Sequence, residues 1–255
     1  MYKAMTPTDY KKFLSLPDDY QVEGFLSYGA WDGDKHRENI VKTLKDLNIQ
    51  FTTQTYEGFL MHVLEIKIDN KNYWFATMYG GALLSEYAHL ACSFGSKKNI
   101  HIGSCGGLHP ELNSLDLIIP TWSYGDESST RSYKRDSNDS KHLSNEKLSQ
   151  ELEENGANKY TLHKGPLMTC QAMMGETFED IETWSKEGYY GVEMETSTVF
   201  AVSNNFNVPC AALVYVSDNL IKGQTVGDES HIMEKEEREL IKNDVYKIGI
   251  KTLLG

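Results

Sequence analysis

The chain has 255 residues, 40% hydrophobic and 24% charged, which suits a single domain with a sizeable core. Its net charge of −12 opposes attraction to a phosphate backbone, so no nucleic-acid partner is expected. No window approaches the roughly 20 apolar residues of a membrane span, and the opening MYKAMTPTDYKKF has no apolar secretion core, so a cytoplasmic chain without a membrane partner is expected.

In chain order, QVEGFLSYGA (21–30) reads as a strand entering a glycine turn. DKHRENIVKTLKDLNI (34–49) places Ile40, Val41, Leu44 and Leu47 at helical spacing, with Asp34 as N-cap. MHVLEIKID (61–69) and NKNYWFATMYGG (70–81) form a hairpin about Asp69-Asn70. LLSEYAHLACSFG (83–95) is helical and ends at a glycine, and NIHIGSCGGLHP (99–110) is a strand running into a glycine-rich loop. SLDLIIPTW (114–122), LHKGPLMTCQAMM (162–174), YGVEME (190–195) and PCAALVYVSD (209–218) are further strands, and 196–206 and 229–254 are helices. The polar stretch 125–160 is read as an excursion: a loop placed to cover a site, then a surface helix starting near Ser144 and ending at Gly156. Alternating strands and helices, with most strands nearly all apolar, specify one α/β domain over 1–255 with a buried mixed sheet. Cys92, Cys105, Cys170 and Cys210 and the eight histidines lack metal-ligand spacing, so reduced thiols and no metal are expected.

Four strand ends carry chemistry. In SYGAWDGDK a strand leads into Gly29, and Asp32 and Asp34 precede a helix that at least one of them is expected to cap. In GVEMET, Glu193 and Glu195 fall on one face of the predicted strand inside an apolar run, where acids need donors to offset desolvation. A ribose diol supplies such donors; a wet edge strand is the bland alternative. AALVYVSDNL ends in Ser217-Asp218 where a strand leaves the sheet, the place where open α/β folds bind ligands. An aspartate there serves either as a helix cap or as an acid able to carry a proton near neutral pH. In IHIGSCGGL, Gly103, Gly106 and Gly107 permit close backbone approach, although no P-loop lysine follows.

With GVEMET, NNFNVPCAALVYVSDNL and NIHIGSCGGLHPELNSLDLIIP in this order, the chain resembles the nucleoside phosphorylase and nucleosidase family from about Gly29 to its end. The resemblance implies a three-layer α/β/α sandwich, assembly as a homodimer or hexamer, and cleavage of a nucleobase–ribose bond through an oxocarbenium-like transition state. It also implies roles: Glu195 on the 2′-hydroxyl, Met194 against the ribose, Glu193 in the ribose pocket, Asp218 at the leaving base, and Met173 near the base-stacking position. Ser217 and Gly106 join the substrate-binding set. Gly29, His101 and Ser104 fall on the family's phosphate or water site.

The departures concern that site. The family's phosphorylases hold phosphate with arginines, but here the first loop reads GAWDGDKHR, His101 replaces one arginine, and FTTQTYEGFL offers none. The loop is similar to the nucleosidase version, in which Asp34 falls on the acid that activates water. Hydrolysis of a purine-like ribonucleoside is therefore the expected reaction, with no cofactor. Phosphorolysis, with inorganic phosphate as co-substrate at an atypical site, is the alternative. A catalytically inactive nucleoside-binding protein is a third reading.

Overall fold

Strands that are apolar at every position belong in a sheet covered on both faces. β1 (Gly24–Gly29) illustrates this, with Phe25 buried in one core cluster and Leu26 in another. The computed structural model, which describes residues 2–135, 138–156, 159–228 and 234–255, builds a mixed ten-stranded sheet around it. The other strands are β2 (Thr52–Thr55), β3 (Val63–Ile68), β4 (Lys71–Met78), β5 (Asn99–Gly107), β6 (Leu117–Tyr124), β7 (Lys141–Leu143), β8 (Leu162–Thr169), β9 (Gly191–Glu193) and β10 (Cys210–Asn219). The helices are α1 (Pro7–Phe13), α2 (Gly33–Asp46), α3 (Gly81–Ser93), α4 (Ser128–Arg131), α5 (Glu146–Gly156), α6 (Phe178–Lys186), α7 (Thr196–Asn205) and α8 (Lys235–Leu254).

The result is the expected layered α/β fold. Ile40 and Leu44 of α2, Leu148 and Leu152 of α5, and Ile241 and Val245 of α8 bury one face of the sheet. Leu84 and Tyr87 of α3 and Val199 and Phe200 of α7 bury the other. Among the described residues, no helix is long and apolar enough to cross a membrane.

One feature exceeds the expectation: the sheet partly closes on itself. β5 runs parallel to both β1 and β10, β10 pairs with β6, β6 with β8, β8 with β9, and β9 antiparallel back onto β5. A small core of Cys105, Leu112, Ile118, Leu167, Val214 and Val216 belongs to this ring. Closure removes two edges and brings the ends of β5, β9 and β10 together. Gly106 is the register partner of both Val192 on β9 and Asp218 on β10.

Several boundaries move. The Asp69-Asn70 hairpin forms, with φ of 49° and 62° at its two turn residues. Asp32, not Asp34, caps α2 by accepting the Lys35 N–H at 3.1 Å. The 162–174 strand stops at Thr169, because the chain turns into a 3₁₀ segment at Met173–Gly175. The 190–195 strand stops at Glu193, so Glu195 lies outside it and the two acids do not share a strand face. The helix expected over 229–254 is observed as α8 from Lys235; residues 229–233 lie outside the described ones. In the excursion, where 136–137 and 157–158 likewise lie outside, Asn145 accepts the Leu148 N–H at 2.9 Å at the start of α5. The excursion's first turn docks on α7: Glu127 accepts the hydroxyls of Ser197 at 2.9 Å and Thr198 at 3.1 Å.

A side chain at Gly191 would meet Cys105 Sγ at 2.8 Å and the Gly106 carbonyl at 3.1 Å. Gly191→Ala is expected to destabilise the domain by about 1–3 kcal/mol through overpacking at the β5–β9 pairing. A urea denaturation midpoint equal to wild type would show that β9 yields without cost.

Candidate active site

β9 ends at Glu193 and α7 begins at Thr196, so a two-residue link must satisfy the first amides of a buried helix. Glu193 does this. Its Oε2 accepts the N–H groups of Glu195 at 2.8 Å and Thr196 at 2.6 Å, and its Oε1 accepts the Thr169 hydroxyl at 2.6 Å. A carboxylate at a helix N-terminus is also favoured by the helix dipole. The Glu193 carboxylate is therefore occupied by protein donors.

Glu195 is released for other work. It occupies the N-cap position of α7 without capping it by its side chain. Its carboxylate is 95% or so buried by residue, with 5% relative exposure, and Oε1 accepts the Gly80 N–H at 2.6 Å. The other oxygen lies against Gly29, where an added Cβ would come within 2.9 Å of Glu195 Cδ. Gly29 is thus a close-approach glycine. Burial, then the adjacent Glu193 charge, pushes the Glu195 carboxyl above the ordinary glutamate range. Burial also raises Glu193 against its three donors.

His101 lies beneath this pair on β5. Its Nδ1 is 2.9 Å from Ser27 Oγ and its Nε2 is 4.0 Å from Glu193 Oε2. Complete burial lowers its pKa to about 3, so the ring is neutral. Ligand atoms of His101, Glu193 and Glu195 lie within 4.8 Å of one another, a spacing compatible with a cation. The donors already on Glu193 fit a helix anchor better than a metal ligand.

Asp218 remains within β10, buried, with the Ser217 hydroxyl donating to it. Asn219, not Asp218, caps the following turn by accepting the Ile221 and Lys222 N–H groups. Val192 and Asp218 flank Gly106 on opposite sides, about 10 Å apart at two strand spacings. Cys105, between them, has its thiol pKa raised by burial first and then by both Glu193 and Asp218. Ser104 is half-buried opposite Tyr215 in the β5–β10 register. Met194 and Met173 are half-buried, and Met173 Sδ lies 3.9 Å from the Tyr79 hydroxyl.

Asp34 does not join them. Its side chain is 92% exposed, with Arg37 Nη1 3.4 Å away. The expected water-activating acid faces solvent because Asp32 takes the cap and Asp34 falls on the outer side of the first turn of α2.

Three residues escaped the sequence reading. Tyr79 packs against Trp31, ring centroids 4.8 Å apart and planes tilted by 40°, and its phenol pKa is raised by burial and then by Glu195 and Glu176. Glu176 is half-buried on the loop after Met173; burial, together with Asp180 and Asp218, lifts its carboxyl to about 7 even though the Cys170 thiol lowers it. Arg238, the only buried arginine among the described residues, lies 3.6 Å from Glu234, and its charge acts on Tyr215. Only GET and EER marked the last two in sequence, and neither has a spacing that indicates a pocket.

A family model of the phosphorylase superfamily matches residues 79–253, and the chain belongs to that superfamily. It is 26% identical over 179 residues to a DeoD-type purine nucleoside phosphorylase of Actinobacillus succinogenes, covering 70% of this chain and 69% of that one. It is 22% identical over 254 residues to a DeoD-type 2 purine nucleoside phosphorylase of Vibrio vulnificus, covering 98% and 96%. A crystal structure of uridine phosphorylase from Vibrio fischeri superposes with a TM-score of 0.73 at 16% identity, covering 94% and 93%.

Glu176 holds its proton to a higher pH when folded than when unfolded, so over that interval the native state binds more protons. Its contribution to stability is present at low pH and lost as pH rises toward and past 7. Glu176→Gln is expected to flatten the fall in stability between the ordinary glutamate range and about pH 7 in urea melts at successive pH values. An unchanged pH slope would place Glu176 in solvent.

Proposed function

We propose that this protein cleaves the N-glycosidic bond of a purine-type ribonucleoside and transfers the ribosyl group to phosphate. The reading is carried by Glu195: a buried carboxylate that accepts the Gly80 N–H and presses against Gly29. Asp218 is buried on β10, whose register partner Gly106 also pairs with β9, the strand that leads to Glu195. Ionised, it would accept the ribose 2′-hydroxyl and stabilise positive charge developing on the sugar. Asp218, protonated, would donate to the departing base and so avoid expelling an anion. Met194 and Met173 would pack against sugar and base.

Phosphate as acceptor is supported by the names of the relatives and by Arg238, which brings a cation to the Tyr215–Ser104 side of the cleft. Gly29, Ser104 and His101 would line the acceptor position. Hydrolysis stands as the second reading because His101 is uncharged and no arginine fork replaces the missing one; its proposed base, Asp34, is exposed. Pairing of two copies is supported by Phe13, Phe59 and Met61, which are 65%, 45% and 55% exposed near the solvent-facing β2 edge. Sedimentation is expected to show a dimer or larger assembly, and a monomer at micromolar concentration would contradict it.

Incubation with purine ribonucleosides is expected to release base and ribose 1-phosphate only when phosphate is present. Free ribose at the same rate without phosphate would establish hydrolysis, and binding without turnover would leave only a nucleoside-binding protein. Asp218→Asn should lower kcat by about 10²–10⁴ with a smaller change in KM. Glu195→Gln should cost about 3 kcal/mol in kcat/KM, whereas Asp34→Asn should leave turnover near wild type. Because the Glu195 carboxyl is raised, the acid limb of kcat/KM should lie above the ordinary glutamate range, with activity falling as pH drops through it. A limb near pH 4 would remove Glu195 from the reaction.

A further inference from the structure

The Glu195 carboxylate accepts the Gly80 N–H at 2.6 Å, with a further backbone bond from Met194, and Gly80 lies in the glycine turn that links β4 to α3. Gly80 has φ of 86°, a left-handed conformation that glycine tolerates, and it precedes α3 without a side-chain cap. A turn of this kind needs an outside tie if its N–H is to stay on one oxygen. Gln171 supplies one. Its Oε1 accepts the Gly81 N–H at 2.8 Å, and its Nε2 donates to the Met194 carbonyl at 2.7 Å. The same amide therefore bridges the two peptide segments that meet at Glu195: the turn that donates to its carboxylate and the residue before it in the chain. Space is closed around the bridge, since a Cβ at Gly81 would come within 2.8 Å of Gln171 Nε2.

We propose that Gln171 is a positioning residue for Glu195: by strapping the Gly80-Gly81 turn to the Met194 carbonyl, it keeps the Gly80 N–H on the carboxylate that faces the sugar. The assignment to the sugar rests on the proposed function; the strap itself does not. Both bonds use a neutral amide whose donor and acceptor ends are matched to opposite backbone groups, so neither a carboxylate nor an apolar side chain at position 171 can make both. The titratable groups facing Glu195 among the described residues are Glu193 from β9, His101 from β5 and Tyr79 from the turn after β4; none of them touches the Gly80 N–H.

Gln171→Met, similar in length and without either polar end, tests the strap. Carboxyl signals of ¹³C-glutamate-labelled free protein would be followed by NMR against pH, with Glu195 assigned as the signal lost in Glu195→Gln. A donor on a carboxylate favours its ionised form, so loosening Gly80 should move the Glu195 midpoint up by about one pH unit. In parallel, kcat/KM should fall by about tenfold or more and its acid limb should move the same way. A folded variant with an unchanged Glu195 midpoint would overturn the proposal, even if stability fell. Should Gln171→Met not fold, Gln171→Asn keeps the amide but is one methylene short of spanning both partners, and the same upward shift is required of it. Because the titration uses free protein, a wild type that turns over no nucleoside would sink the proposed function and leave the strap to be judged separately.

Discussion

The candidate site depends on Glu193, a carboxylate spent on the backbone that starts α7. α7 is buried along nearly its whole length, so water is not available to satisfy its first N–H groups. Glu193 accepts two of them, while Glu127 arrives from the excursion to bind the hydroxyls of Ser197 and Thr198. Two acids at one helix start also complement its dipole. With the amides satisfied by others, Glu195 can turn away from its own helix. Remove Glu193 from that duty and Glu195 becomes the nearest acceptor for the same amides, which would draw it out of the cleft.

Closure of the sheet turns this local arrangement into a site. An open sheet would leave β9, only three residues long, as a weak element. Paired with β5 on one side and β8 on the other, it is fixed, and Gly106 becomes the hinge of three strand ends. The glycines at 29, 106 and 191 then have one physical reason: backbone and side chains crowd where strands converge, and a Cβ at each would strike Glu195, Leu220 or Cys105 respectively. The fold thus brings carboxylates and backbone to the same few ångströms while keeping water out.

Much of this was legible in the chain itself. Apolar strands between amphipathic helices specified the layers, and acids at apolar strand ends pointed to Glu195 and Asp218, because buried carboxylates require partners whatever the topology. What the sequence concealed are long-range choices. Glu193 and Glu195 are chemically identical, and only the end of β9 at residue 193 decides which one meets the helix and which the cleft. Asp32 and Asp34 pose the same ambiguity, settled by which of them caps α2. Ring closure, the Gln171 strap and the Glu176–Asp218 proximity join residues separated by tens of positions, with no periodicity to announce them.

The acceptor side sets a sharper electrostatic problem. For the proposed reaction Glu195 must be ionised, yet a phosphate placed beside Gly29 would lie near it. Two like charges 4 Å apart at a protein-surface dielectric repel by about 4 kcal/mol, and a neutral His101 offers no countercharge. An arriving anion would itself favour protonation of that histidine, since a nearby opposite charge stabilises the charged form. Ser27 accepts or donates at Nδ1, leaving Nε2 directed toward the carboxylates. His101 protonation and phosphate binding would then be linked, each strengthening the other, and a histidine would do conditionally what an arginine does permanently. Such coupling would make the proposed acceptor site weak while His101 is neutral and would favour an anion whose binding is linked to uptake of that proton.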